Sequence, residues 1–330
     1  MSYTAGIYGA SGYAGLELIQ LLNRHPEFEI AFTVSDSFAG EKYDGCTFIP
    51  VAEADPSTVD IVFLCTPHKA SAPLAKSALD VGTKVVDLSA DLRLKTPEAY
   101  TQWYGDVHPN PELLPTVYGL PELNREQIHG EDRIANPGCY PTTSLLGIAP
   151  LAKAKGIRPG ATIIIDAKSG VSGAGRKATL DNHFVEIFGD FKPYNIGRIH
   201  RHVGEIEQEL NILNAEIQHI IFSPHLLPID RGLLATIYLP LAEEWSMEKA
   251  RSAYEEFYGN EPMINLLNPG EMARVRDVAR KNGAAISLHE GTPDTLIVVS
   301  VTDNLLKGAS SQAVQNANLM FELPETMGLL

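Results

Sequence analysis

Three glycines spaced three apart, Gly9, Gly12 and Gly15, follow the strand-like run Tyr3–Tyr8 and precede a helical pattern at Leu16, Ile19, Leu21 and Leu22 that Pro26 stops. Glycine has no Cβ, so such a turn can bend tightly, let a ligand come close to the backbone, and pack a helix close to a strand. The helix that follows would offer its free N–H groups to a phosphate. Glycine turns between strand and helix are common. Next to the N-terminus, between a strand and a helix, this one points to a dinucleotide pyrophosphate held by Gly9, Ser11, Gly12, Tyr13, Ala14 and Gly15.

The rest of the first half fits that start. A second strand at Glu29–Val34 ends in Ser35-Asp36-Ser37, where an acid would meet the ribose hydroxyls of NAD and small or basic residues would accept the extra phosphate of NADP. Asp36 favours the former; Ser35, Ser37 and Lys42 leave room for the latter. Val59–Cys65 is almost continuously apolar, as expected of a strand buried on both faces of a parallel sheet, and ends in Thr66-Pro67-His68. A helix at Ser71–Asp80 and a strand at Lys84–Asp87 continue the alternation, predicting a doubly wound parallel sheet up to about residue 135. Residues 91–130, with Pro97, Pro109, Pro111, Pro115 and Pro121, read as a mostly irregular excursion.

The excursion leads to Asn136-Pro137-Gly138-Cys139-Tyr140-Pro141-Thr142-Thr143. Pro137-Gly138 breaks both strand and helix. A helix then begins, with Pro141 tolerated in its first turn, an apolar face at Leu145, Leu146 and Ile148, and an expected end before Pro150. Cys139 therefore sits at a helix N-terminus, where the dipole favours an anion, here the thiolate. A free cysteine is most often a small buried apolar residue; the turn residues and helix start favour a nucleophile.

Beyond this helix the pattern is that of a mixed-sheet α+β domain. Strands are predicted at Ala161–Ala167, Ile217–Ser223, Leu234–Leu239, Ala284–Leu288 and Leu296–Val301, with helices near Val203–Asn211 and Met247–Tyr258. Their alternation suggests a sheet covered on one face, and an open face suggests self-association as a dimer or tetramer. A last helix, Ser310–Phe321, is expected to return to the first domain. The fold class is thus α/β: a Rossmann-type domain (1–140, completed by 304–330) and a catalytic and oligomerisation domain (141–303). With 330 residues, two domains are the natural expectation. A net charge of −15 without a basic stretch excludes non-specific nucleic-acid binding. Three cysteines form no paired or zinc-ligand framework. With no signal-peptide pattern and no membrane-length apolar run, a cytoplasmic protein is expected.

Two further stretches carry chemistry. Lys168-Ser169-Gly170-Val171-Ser172-Gly173-Ala174-Gly175-Arg176 follows a strand directly; so small and polar a loop could cradle a phosphate or a nicotinamide ring, with Arg176 at its end. Tyr194 to Glu205 holds His200 and His202. A metal on this pair and Glu205 is a minor option, and no metal is expected. A histidine that handles protons is the natural companion of a cysteine nucleophile, and Arg201 would suit a substrate carboxylate or phosphate. A dinucleotide fold with a reactive cysteine implies an acyl-enzyme reduced by hydride.

At these residues the chain resembles the N-acetyl-gamma-glutamyl-phosphate reductases along essentially its whole length. The matching pieces are the glycine turn 9–15, Asp91-Leu92-Arg93, Tyr118–Glu122, Pro137–Thr142, Ser169–Arg176, His200-Arg201-His202 and Asp303–Gly308. The resemblance implies NADPH-dependent reduction of an acyl phosphate through a Cys139 thioester, with His200 as the acid/base residue. It implies cofactor contacts at Ser169, Gly170, Ser172, Gly173 and Asn316, and substrate contacts at Arg93, Asn136, Arg176, Arg201 and His202. Relatives often carry a basic residue where this chain has Asp36. The lysine-pathway reductases that act on a protein-bound aminoadipyl phosphate are a close alternative, and a non-catalytic nucleotide sensor a distant one.

Overall fold

The computed structural model describes residues 2–330. It divides into two compact units, one running to Gly138 and resuming at Ala309–Leu330, the other Cys139–Gly308.

The first unit contains β1 (Tyr3–Tyr8), α1 (Tyr13–Leu22), β2 (Phe28–Val34), β3 (Lys42–Tyr43), β4 (Cys46–Ile49), β5 (Ile61–Leu64), α2 (Ser71–Asp80), β6 (Lys84–Asp87), α3 (Pro97–Tyr104), β7 (Val117–Tyr118), α4 (Pro121–Ile128) and β8 (Arg133–Ala135). Its sheet has the order β3-β4-β2-β1-β5-β6-β8-β7, parallel except for the β3–β4 pair. β2 lies on one side of β1 and β5 on the other, which makes the carboxyl ends of β1 and β5 the topological switch point. The continuous apolar run of β5 is buried throughout, as a strand covered on both faces must be.

Residues 91–130 are more regular than the sequence implied. Pro97 and Pro121 open α3 and α4, at the helical position where a missing N–H costs nothing. The Thr96 hydroxyl accepts from Ala99 N at 3.2 Å, and Gly105 ends α3 with φ +73°. Two of the prolines that read as breakers are thus helix starters.

The second unit contains α5 (Cys139–Lys153), β9 (Ile163–Gly170), α6 (Phe184–Ile187), β10 (Lys192–Pro193), α7 (His202–Leu213), β11 (Ile220–Leu227), β12 (Leu233–Pro240), α8 (Met247–Tyr258), β13 (Ile264–Leu266), α9 (Val275–Val278), β14 (Ala284–Thr292) and β15 (Thr295–Thr302). Its mixed sheet has the order β10-β11-β9-β12-β15-β14-β13. Alternate residues such as Ile163, Ile165, Ile237 and Leu239 are fully buried, and α5 packs on β12, β15, α7 and α8.

α5 does not stop before Pro150. It continues to Lys153 with the proline inside. Pro150 has no N–H for the carbonyl four residues back; the Tyr258 hydroxyl donates to that carbonyl, Leu146 O, and the Tyr254 hydroxyl donates to Gly147 O. The helix survives its proline because α8 supplies the missing donor. The last helix, α10 (Ser310–Met320), belongs to the first unit and packs on α1.

Candidate active site

In the first unit, the turn after β1 is built for a close neighbour. Gly9 has φ +71°, and a Cβ there would lie 2.5 Å from Cys65 O and 3.0 Å from Thr66 N. The two switch-point loops therefore touch at a position only glycine can occupy. A Cβ at Gly15 would meet Ala10 at 2.6 Å, so α1 packs directly on the turn. Gly12 is different. It is the N-cap of α1, with no side-chain cap, and a Cβ there would meet only Gly9 O at 3.4 Å. The bare helix start fits the pyrophosphate of a dinucleotide.

Around it, Ser11 Oγ and Ser35 Oγ are 2.7 Å apart and Thr66 Oγ1 lies 2.6 Å from Ser71 Oγ. Tyr13, Ser37 and Pro67 are exposed on the same loops. Asp36 Oδ1 accepts from Val51 N at 2.9 Å, so this carboxylate is partly engaged in holding the β2–β4 corner. Asn316 is fully buried; its Nδ2 donates to Gly119 O at 2.8 Å and Asn136 Oδ1 at 3.0 Å, while its Oδ1 has no protein partner. An orphaned buried acceptor is costly, but Asn316 presents no exposed surface to a ligand here.

In the second unit, Cys139 is the first residue of α5. The Thr143 hydroxyl joins the first turn to Cys139 O at 2.9 Å and to Thr302 Oγ1 at 2.7 Å. The 303–308 loop closes over the cysteine: a Cβ at Gly308 would lie 2.9 Å from Cys139 Cβ. Asp303, fully buried, fixes that loop by accepting from Leu305 N, Leu306 N and Arg280 N. Asn304 links it to the serine-glycine loop, accepting from Gly232 N at 2.7 Å and donating to Ser172 Oγ at 3.0 Å.

Cys139 lines a cavity of about 560 Å³ with Tyr140, Ser169, Gly173, Ala174, Asp181, Asn182, Lys192, Tyr194, Asn195, His200, Arg201 and His202 among its walls. His200 is 9% exposed. Its ring meets those of Tyr140, Tyr194 and Phe222 edge-on at 5.2 to 5.6 Å, and His202 lies at 4.8 Å. Burial, with the Arg201 charge adding to it, pushes the imidazole down to about 4, so the ring is neutral at pH 7. Nδ1 accepts from His202 N at 3.2 Å, which places the proton on Nε2. Tyr194 donates to the Tyr140 hydroxyl at 3.1 Å, and Tyr140 donates to His225 O at 3.2 Å. Burial raises both phenols, Tyr194 to about 12.

Of the residues singled out in the sequence, Cys139, Ser169, Gly173, His200, Arg201 and His202 line this one cavity. Gly170 and Ser172 lie on the same loop without lining it; a Cβ at Gly170 would collide with the Arg231 backbone at 2.8 Å. Arg176 is exposed at the end of that loop and is not a wall residue. Arg93 and Asn136 are also absent from the walls. They are buried in the first unit, Arg93 Nε donating to Asn136 O at 2.8 Å and its Nη2 to Leu88 O at 2.7 Å, and Asn136 Nδ2 donating to Ala309 O at 3.1 Å. Asp181, Asn182 and Lys192 were missed. They come from a stretch without periodicity between the two motifs, and no sequence signal marks them. Among the described residues no group of three or more His, Cys, Asp and Glu is placed to hold a metal, and no helix is long and apolar enough to cross a membrane.

A parallel sheet with a glycine turn at its switch point, joined to a mixed-sheet unit with a cysteine at a helix start, defines the semialdehyde dehydrogenase class. Residues 4–131 match the family model described as semialdehyde dehydrogenase, NAD binding domain, and residues 139–304 that described as semialdehyde dehydrogenase, dimerisation domain. The fold is similar to aspartate semialdehyde dehydrogenase II of Vibrio cholerae (TM-score 0.78, 19% identity, 98% of this chain and 99% of that one) and to the Candida albicans aspartate semialdehyde dehydrogenase solved with NADP (0.69, 18%, 97% and 98%). Relatives called N-acetyl-gamma-glutamyl-phosphate reductase are 46% identical in Moorella thermoacetica and 45% in Desulforudis audaxviator, each over 98% of this chain and 97% of the relative. The chain belongs to the N-acetyl-gamma-glutamyl-phosphate reductase family.

Proposed function

We propose that the protein reduces N-acetyl-L-glutamyl 5-phosphate to N-acetyl-L-glutamate 5-semialdehyde with release of phosphate, in arginine biosynthesis, through a thioester on Cys139. The observation that carries the chemistry is a cysteine at a helix start sharing one cavity with a buried, neutral histidine. The helix dipole favours the Cys139 thiolate. Its sulfur attacks the acyl carbon, the carbon–oxygen bond to phosphate breaks, and the departing phosphate takes up, through water, the proton that Cys139 released on ionising. NADPH, when bound, supplies the hydride that reduces the acyl group. The resemblance implies His200 as the acid/base residue; with a neutral ring whose Nδ1 is taken by His202 N, its part here would instead be to donate Nε2–H to the oxyanion and keep its proton. The oxyanion then collapses to the aldehyde and the Cys139 thiolate is restored.

The cavity volume lies in the usual range for small-molecule sites, roughly 300–1,000 Å³. Gly9, Ser11, Gly12, Tyr13, Ala14 and Gly15 would hold the pyrophosphate. Ser35, Ser37, Thr66 and Pro67 would meet the adenosine side, and Ser169, Gly170, Ser172 and Gly173 would suit the nicotinamide. Arg201 and His202 would bind the substrate. The likeness to the N-acetyl-gamma-glutamyl-phosphate reductases supports NADPH, and the bond from Val51 N holds Asp36 in place beside Ser35 and Ser37. A homo-oligomer formed through the second unit and a cytoplasmic location complete the reading. Steady-state rates in the reverse direction, with aldehyde, phosphate and each dinucleotide, test it. Phosphate-dependent turnover with NADP well above NAD is expected. Turnover only with an aminoadipate semialdehyde substrate, or none with either aldehyde, would overturn it.

A further inference from the structure

α2 begins without a cap of its own. Its N-cap is Ala70, which has no side chain to accept from the first N–H groups. The acceptor comes from Asp91, nineteen residues after Ala72 in sequence and fully buried. Asp91 Oδ2 accepts from Ala72 N at 2.9 Å and Oδ1 from Lys69 N at 2.8 Å. Lys69 has φ +72°, a left-handed conformation that a non-glycine residue holds only when its surroundings impose it.

The carboxylate is itself held in place. Tyr100 Oη donates to Oδ1 at 3.0 Å, His108 Nε2 donates to Asp91 O at 2.7 Å, and Ser89 Oγ accepts from Asp91 N at 3.0 Å. Lys69 Nζ pairs with Asp106 at 2.7 Å, so the segment 91–108 grips the loop 66–70 at both backbone and side chain. That loop follows β5 at the switch point, against the Gly9 turn.

We propose that Asp91 is a positioning residue for the dinucleotide: by tying Lys69 N and Ala72 N, it holds the loop after β5 in the shape that forms one wall of the cofactor cleft. An asparagine cannot replace it, because one of its two heads is an NH2 that would face an N–H. The inference rests on the dinucleotide-binding reading above, and the test separates the two. NADPH affinity is measured by fluorescence titration on wild type, Asp91→Asn and Tyr100→Phe. In parallel, the phosphate burst from acyl phosphate is measured without any dinucleotide, which reports only Cys139 acylation. Asp91→Asn is expected to raise the NADPH Kd about tenfold or more and Tyr100→Phe about threefold, with burst rate and amplitude within about twofold of wild type. Unchanged Kd in either variant overturns the proposal, and so does a burst that falls in step with affinity, since that marks a general loss of structure. If Asp91→Asn does not fold, Tyr100→Phe decides alone. No NADPH binding by the wild type would sink the functional reading instead.

Discussion

His200 owes its chemistry to its surroundings more than to its motif. Three aromatic edges and the Arg201 charge leave it neutral, and folding therefore favours the uncharged ring. That contribution is complete above the unfolded value near 6.5 and is lost as pH falls through about 4. Over this window it amounts to about 3 kcal/mol. Thermal unfolding of wild type and His200→Asn at pH 7 and pH 4.5 checks it. Wild type should lose more stability between the two than the variant; equal losses would show that the ring titrates normally. Cys139→Ser should lower turnover by about 10³-fold or more, since a hydroxyl at this position is un-ionised, while NADPH binding in a titration stays unchanged. An active serine variant would count against the thioester. Cys139 and His200 were legible in the sequence because each sits in a dense local motif. Asp181, Asn182 and Lys192 were not, because they reach the cavity only through the path of an irregular segment, and no local pattern encodes that path.

Elements were readable where their pattern is local. Ser71–Asp80, Lys84–Asp87 and Met247–Tyr258 have the bounds that periodicity gave, since their stop signals lie within a few residues. The reading failed where a distant group changes the meaning of a residue. Pro150 reads as a stop, and only the hydroxyl of Tyr258, over a hundred residues away, lets α5 continue. Tyr258→Phe removes the donor and leaves Leu146 O buried and unsatisfied. A loss of about 1–3 kcal/mol is expected in urea unfolding; a loss below about 0.5 kcal/mol would mean the carbonyl finds another donor. The glycine turn separates folding from binding in the same way. Gly12→Ala adds a methyl to open space at a φ of −71°, so the fold should hold while the Kd for NADPH rises about tenfold or more through contact with the pyrophosphate. Gly9→Ala meets Cys65 O at φ +71° and should lower the melting temperature itself. Loss of stability in Gly12→Ala, with affinity intact, would reverse the assignment of the two glycines.

At the scale of the whole molecule, the second unit leaves a question that its own residues pose. Its helices cover one face of the sheet, and α9 with Ala273 and Val278 covers the far end of the other. Across the rest of that face the strand registers line up a transverse row, Ile221 beside Ile164, Ile164 beside Tyr238, Tyr238 beside Ile297. Ile221 is 50% exposed and Ile164 38%, although a strand's apolar residues gain by leaving water. Contiguous apolar rows of this kind mark interaction surfaces, and a two-fold pairing of identical sheets would place each row against its copy. Ile221→Glu tests this without touching the core, because the side chain already faces water. Light scattering at micromolar concentration should show the wild type as an oligomer and the variant shifted to monomer, with circular dichroism unchanged. The Cys139 cavity lies wholly within this unit, so its walls do not themselves require a second copy. A monomeric variant should therefore retain the phosphate burst. If the variant assembles as the wild type does, the association surface lies elsewhere, and the exposed apolar side chains of residues 180–199, Phe184 and Phe188 among them, become the next face to charge.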